Sequence, residues 1–278
     1  MTSNKRQREL ARAKHERQQA RRAAEQHRRR RLQVIIAAVV GVALVVLGGA
    51  WLVQSTSSKT PIAEPTVAPS TPASASASVT SDTSGVSCTA APTSRANDLT
   101  WKTVPPTTIK PTGTYTMNLT TNCGDMVFTL DQTKAPATVN SMVFLTDQKY
   151  FDLTSCHRLT TEGLFVLQCG DPAGNGGGGP GYALPDENLP ADGASNYPRG
   201  TVAMANAGKG TGGSQFFIVY QDTTLPPDYT IWGTVTTGLN VVDYVASKGV
   251  AGGGSDGAPA QPISIVTATT SYSATGSS

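Results

Sequence analysis

Cys156-His157-Arg158-Leu159 is followed by Phe165-Val166-Leu167-Gln168-Cys169-Gly170-Asp171. About 40 residues later come Ala205-Asn206-Ala207-Gly208 and Gly213-Ser214-Gln215-Phe216-Phe217-Ile218. Arg158 keeps its charge and presents a rigid fork of donors, which suits it to stabilise charge that develops during a reaction. Gln168 and Gln215 carry amides, and Phe165, Val166 and Phe217 are apolar. By periodicity alone, Phe165 and Leu167 read better as core. His157, taken alone, reads as a satisfied structural side chain. Metal chemistry finds no support, because no two of Cys88, Cys123, Cys156 and Cys169 lie within four residues of each other. Gly174-Asn175-Gly176-Gly177-Gly178-Gly179 invites comparison with a phosphate loop. It lacks the Gly-Lys-Ser/Thr ending and runs into Pro180-Gly181-Tyr182, so neither nucleotide nor any other cofactor is expected.

These residues need a scaffold of short strands. Residues 114–120 and 126–130 alternate and, with the turn Asn122-Cys123-Gly124-Asp125 between them, predict a hairpin. Further strands are expected near 164–169, 201–205, 214–220, 230–235 and 262–268. Residues 135–148 have Pro136 near their start and put Val139, Met142, Val143 and Thr146 on one helical face. Residues 239–247 read as a second helix, closed by Lys248-Gly249. About eight short strands and two helices in roughly 175 residues suggest a mainly β fold, a closed eight-stranded antiparallel barrel capped by two α-helices.

The two segments in this order, with Tyr229-Thr230-Ile231-Trp232-Gly233 downstream, resemble the active-site strands of the cyclophilins, the peptidyl-prolyl cis–trans isomerases. The likeness covers roughly residues 112–270 and implies the same capped barrel. It implies that Arg158 is catalytic and that His157, Phe165, Val166, Gln168, Ala205, Asn206, Gln215, Phe217, Leu225 and Tyr229 contact or line the substrate groove. Isomerisation needs no nucleophile and no metal. It requires a pocket for the proline ring, donors for the flanking carbonyls and a cation that disfavours amide resonance. The backbone of Asn206 would pair with the residue before proline as an added strand does. Four departures from the family pattern stand out. Val166 replaces a methionine, and six residues rather than four separate Arg158 from Phe165. The stretch 222–229 lacks the family's tryptophan, leaving Leu225 as its apolar substitute, and Tyr229 takes the place of the usual histidine.

The rest of the chain sets the location. Residues 1–31 carry twelve Lys/Arg and three Glu, whereas the remainder carries ten Lys/Arg against sixteen Asp/Glu. Residues 34–53 are twenty in number, with no charge and no proline. At ~1.5 Å per residue they make ~30 Å of helix, the thickness of a hydrocarbon core. The four arginines 28–31 just before this run put the N-terminus in the cytoplasm. A cleaved signal peptide would have a shorter apolar run and a better cleavage site than Ala50-Trp51-Leu52. The expected organisation is a basic cytoplasmic tail (1–31), a transmembrane signal anchor (32–53), a Ser/Thr/Pro/Ala-rich linker (54–95), a cyclophilin-like domain (96–272) and a disordered tail (273–278). The basic tail fits attraction to anionic lipid better than nucleic-acid binding.

Four cysteines outside the membrane allow three pairings. In the geometry of the cyclophilins, Cys156 and Cys169 face each other across the active-site hairpin, which implies Cys156–Cys169 and hence Cys88–Cys123. The expected protein is a monomeric, membrane-anchored isomerase acting on proline-containing peptides and on unfolded secreted or surface proteins. The alternatives are a proline-peptide-binding adaptor or chaperone module with little activity, and an envelope scaffold.

Overall fold

The computed structural model describes residues 85–93 and 99–274. The basic tail, the apolar run 34–53 and most of the expected linker lie outside the described residues. Among the described residues, no helix is long and apolar enough to cross a membrane.

Ten strands and two helices follow one another along the chain: β1 (Thr114–Thr121), β2 (Gly124–Leu130), α1 (Pro136–Asp147), β3 (Thr154–Ser155), β4 (Arg158–Thr160), β5 (Val166–Cys169), β6 (Thr201–Met204), β7 (Phe216–Val219), β8 (Ile231–Thr237), α2 (Leu239–Ser247), β9 (Asp256–Gly257) and β10 (Ser264–Ser273). The strands form one sheet in the order β3-β10-β1-β2-β8-β6-β7-β5-β4-β9. This corrects the expected closed eight-stranded barrel. The sheet has ten strands, and its ladder is open between β3 and β9. The two additional strands are two residues each, too short to leave an alternating pattern in the sequence. In place of a closing ladder, β3 and β4 follow each other in the chain, so residues 154–160 reach both from β10 and from β5.

The β1–β2 hairpin has a two-residue turn, Asn122-Cys123, between Thr121 and Gly124. Tyr115, Met117 and Leu119 of β1 and Met126, Phe128 and Leu130 of β2 point inward, as alternation dictates. They meet Phe151, Phe216 and Trp232, whose rings pack edge-to-face with one another and with Phe128 at 5.7–6.3 Å between centroids. Cys123 at the hairpin turn is bonded to Cys88, and Cys156 to Cys169. Both pairings are those implied by the resemblance.

Helix α1 departs from the single apolar face expected of it. Thr138, Asn140, Ser141 and Leu145 are buried along with Val139, Met142 and Val143. The reason is a strap over its other side. Asn140 accepts the Thr108 N–H at 2.8 Å and donates to the carbonyl of Pro106 at 3.1 Å, while Trp101 packs on Phe144. Ser141 pairs with the Tyr182 hydroxyl at 2.7 Å. Buried polar groups on this face are thus satisfied from a distance.

The start of α1 is capped the same way. Ala135 offers no side-chain cap. The Glu187 carboxylate, about 50 residues on, accepts the N–H groups of Ala137 and Thr138 at 3.1 and 2.9 Å and the Thr138 hydroxyl at 2.9 Å. A carboxylate there satisfies orphan donors and complements the helix dipole. Glu187→Ala is expected to cost about 1–2 kcal/mol of stability in urea unfolding, the usual range for losing a cap. A loss below ~0.3 kcal/mol would show that water replaces the carboxylate without penalty. Helix α2 enters through Gly238, at φ +84°, where an added Cβ would run into the Asp125 carbonyl, so only glycine fits.

Candidate active site

Register brings the motif residues into a row. Arg158 on β4 lies opposite Gln168 on β5, Gln168 opposite Phe217 on β7, and Phe217 opposite Ala203 on β6. Alternation puts the next row, Leu159, Leu167, Ile218 and Val202, on the other face, in the main core. One face of these four strands therefore serves the core and the other builds a separate surface. Val166 and Val219, directly opposite each other, extend that surface.

Val166, Ala203, Phe217, Val219 and Tyr197 form an apolar cluster distinct from the main core, with Ala205, Leu225, Tyr229, Leu164 and Ile231 packed against it. The Phe217 ring meets Tyr229 edge-on at 5.5 Å and Tyr197 at 6.2 Å. Five residues singled out from the sequence, Val166, Ala205, Phe217, Leu225 and Tyr229, are thus brought together in one apolar wall.

A polar relay runs beside this wall. Arg158 donates through Nη1 to Gln168 Oε1 at 3.3 Å, Gln168 Nε2 donates to Gln215 Oε1 at 2.9 Å, and Gln215 Nε2 donates to the carbonyls of Gly176 and Gly178 at 3.0 and 2.9 Å. The glycine-rich segment is therefore tied to the site as a wall. Together with Ala205, Asn206 and Gln215 it encloses a cavity of about 460 Å³. Asp171, fully buried, shapes that segment by accepting the N–H groups of Ala173, Asn175 and Gly176. Asn206 donates through its side chain to the Asp228 carbonyl at 2.8 Å, which spans the apolar wall from the strand side to the loop 222–229.

Two expected residues stand apart. Phe165 lies just before β5, and its ring meets Tyr220 at 6.0 Å rather than joining the apolar cluster. His157 has the opposite parity to Arg158. Its Nδ1 is buried and has no hydrogen-bond partner among the described residues, and burial pushes its imidazole below the ordinary value. That favours a neutral ring.

Sequence reading missed three residues. Tyr197 holds the loop 222–229: its hydroxyl accepts the Tyr229 N–H at 3.0 Å and donates to the Tyr229 carbonyl at 3.1 Å. Asn196 clamps Leu225 from both sides, donating to its carbonyl at 2.7 Å and accepting its N–H at 3.0 Å. These bonds set a loop that has no tryptophan of its own. Asp256 takes the other side of Arg158, with Nε and Nη2 each donating to one carboxylate oxygen at 2.7 Å. Its hydrogen bonds hold the Arg158 guanidinium above its usual pKa, so it is charged at neutral pH.

A sequence model of the family described as cyclophilin type peptidyl-prolyl cis-trans isomerase/CLD matches residues 116–270. The chain belongs to this family. The matched cyclophilin region takes in every strand and helix of the site. A probable peptidyl-prolyl cis-trans isomerase B of Mycobacterium tuberculosis is 48% identical over 160 residues, which cover 54% of this chain and 52% of the relative. The chain thus spans about half the length of that relative. A peptidyl-prolyl cis-trans isomerase-like 1 of Gibberella zeae is 36% identical over 154 residues, 54% of this chain and 91% of the relative. Among solved structures, a cyclophilin type peptidyl-prolyl cis-trans isomerase of Cryptosporidium parvum aligns with a TM-score of 0.49 at 27% identity, covering 57% of this chain and 98% of that one.

Proposed function

We propose that this cyclophilin accelerates cis–trans rotation of X–Pro bonds in extracytoplasmic proteins, held at the membrane by residues 34–53. The observation that carries the reading is the register row itself. It sets a charged fork at Arg158, two amides at Gln168 and Gln215, and an apolar wall at Val166 and Phe217 side by side on one sheet face. Proline packs on the apolar wall. A backbone carbonyl beside it is gripped by the second N–H of the Gln168 amide, while Gln215 holds that amide in place. Rotation faces a barrier of ~18–20 kcal/mol because the C–N bond is partly double. A donor aimed at the prolyl nitrogen stabilises it as it turns pyramidal and loses conjugation, and that stabilisation exists chiefly in the transition state. Nothing in this step needs a cofactor. Arg158 is the catalytic group, and Gln168, Gln215, Asn206 and the apolar wall bind the peptide.

The membrane assignment is supported by the length and apolarity of residues 34–53 and by the arginines before them. The two disulfides suit an oxidising compartment. The test is the rate of cis-to-trans conversion of an Ala-Pro peptide with and without the full chain. Acceleration proportional to protein concentration supports an isomerase. A folded chain that binds the peptide but leaves the rate at its spontaneous value would make the groove a peptide-binding adaptor instead.

A further inference from the structure

We propose that Asp256, in the glycine-rich hairpin between α2 and β10, is a positioning residue that aims Arg158 at the substrate. This rests on the isomerase reading of the site. Arg158 is a long side chain with four rotatable bonds, and a donor that must meet one atom in one transition state has to be held. Gln168 holds a single N–H, at a long 3.3 Å. Asp256 holds two, both at 2.7 Å, in the paired geometry that matches a guanidinium to a carboxylate. An arginine has five N–H groups. Among the described residues these three bonds leave one N–H on each terminal nitrogen for a ligand.

The backbone is built to put Asp256 there. Strand β9 pairs with β4, the strand of Arg158 itself, through Thr160↔Asp256 and Leu159↔Gly257. Asp256 therefore sits on the diagonal from Arg158, a span that a long side chain bridges. Next to the pair, the Thr161 N–H donates to the Ser255 carbonyl at 2.9 Å. Farther back, Ala251 N–H to Ala258 O and Ala260 N–H to Gly249 O, both 2.8 Å, close the hairpin. Its tip turns through Gly252 and Gly253 at φ +83° and +81°. An exposed glycine-rich loop would otherwise have little reason to lie down on β4. The carboxylate is half exposed, so the pair is worth little to overall stability, and its role is local.

The test uses the full chain and its Asp256→Ala and Asp256→Asn variants, with kcat, peptide Kd and melting temperature measured for each. Asp256→Ala is expected to lower kcat about tenfold, part of the ~100-fold that a misplaced reacting group can cost. Peptide Kd should stay within about twofold, because the amides and the apolar wall are untouched. Asp256→Asn keeps one acceptor for Nε and should fall between the two. A hairpin that is merely structural would move melting temperature and Kd together and leave kcat alone. Equal kcat in parent and Asp256→Ala overturns the proposal, and a faster variant overturns it too, since Asp256 would then be restraining Arg158. A parent without acceleration sinks the isomerase reading and this inference with it. An active parent with an unchanged variant sinks only this one.

Discussion

Arg158→Ala is expected to reduce kcat/KM by roughly 10²- to 10³-fold, the range found when one aimed electrostatic donor is removed from an active site. That corresponds to about 2.7–4 kcal/mol of transition-state stabilisation. The loss should fall on kcat, because ground-state peptide is held by groups that Arg158 does not supply: the Gln168–Gln215 amides and the wall of Val166, Phe217, Leu225 and Tyr229. Arg158→Lys should recover little of it. An ammonium keeps the charge but cannot span Gln168 on one side and both oxygens of Asp256 on the other. The activity lost should be lost equally at pH 6 and pH 8, since the guanidinium is charged at both. The measurement is the rate constant for X–Pro conversion over a range of peptide concentration. A variant that keeps more than about a tenth of parental kcat would show that the apolar wall and amides do most of the catalysis.

How much of this was legible in the sequence follows from the range of the interactions. Strand β5 and the segment around Phe217 could be read because a strand exposes its two faces alternately, and the motif residues Val166, Gln168 and Phe217 share parity. Helix α2 was readable to the residue because Gly238 and Gly249 bracket an apolar repeat. Phe165 shows the limit of motif transfer. It stands in the right place in the sequence, yet its ring packs against Tyr220. Strand β9 was invisible, since Asp256-Gly257 in a run of glycines carries no periodicity and becomes a strand only by pairing with β4. Asp256 and Arg158 are 98 residues apart, Glu187 and Thr138 are 49 apart, and Tyr197 and Tyr229 are 32 apart. No local propensity encodes such partners. They exist because strands and loops far apart in the chain are brought side by side by the fold.

The same reasoning locates a costly polar substitution in the fold. Asp243 of α2 is only 5% exposed, and a bare carboxylate there would be costly to desolvate. Arg199 compensates it: Nη1 and Nη2 donate to the two carboxylate oxygens at 2.7 and 2.6 Å. Arg199 Nη1 also donates to the Tyr220 carbonyl, and the Arg199 backbone N–H donates to Asp222 at 2.8 Å. One guanidinium thus joins α2, the entry to β6 and the start of the loop that carries Leu225 and Tyr229. Asp243→Ala removes the partner and leaves a largely buried cation, so it should cost about 3–5 kcal/mol. For a domain of this size that is a fall on the order of 10 °C in melting temperature. Replacing both partners, Arg199→Met with Asp243→Leu, should recover much of the loss, because an apolar pair needs no mutual compensation. Thermal unfolding of the two variants decides it. If Asp243→Ala costs under ~1 kcal/mol, water reaches Arg199 and the pair is a surface contact. If the double variant is no better than the single, the hydrogen bonds to Tyr220 and Asp222, rather than the ion pair, hold α2 to the sheet.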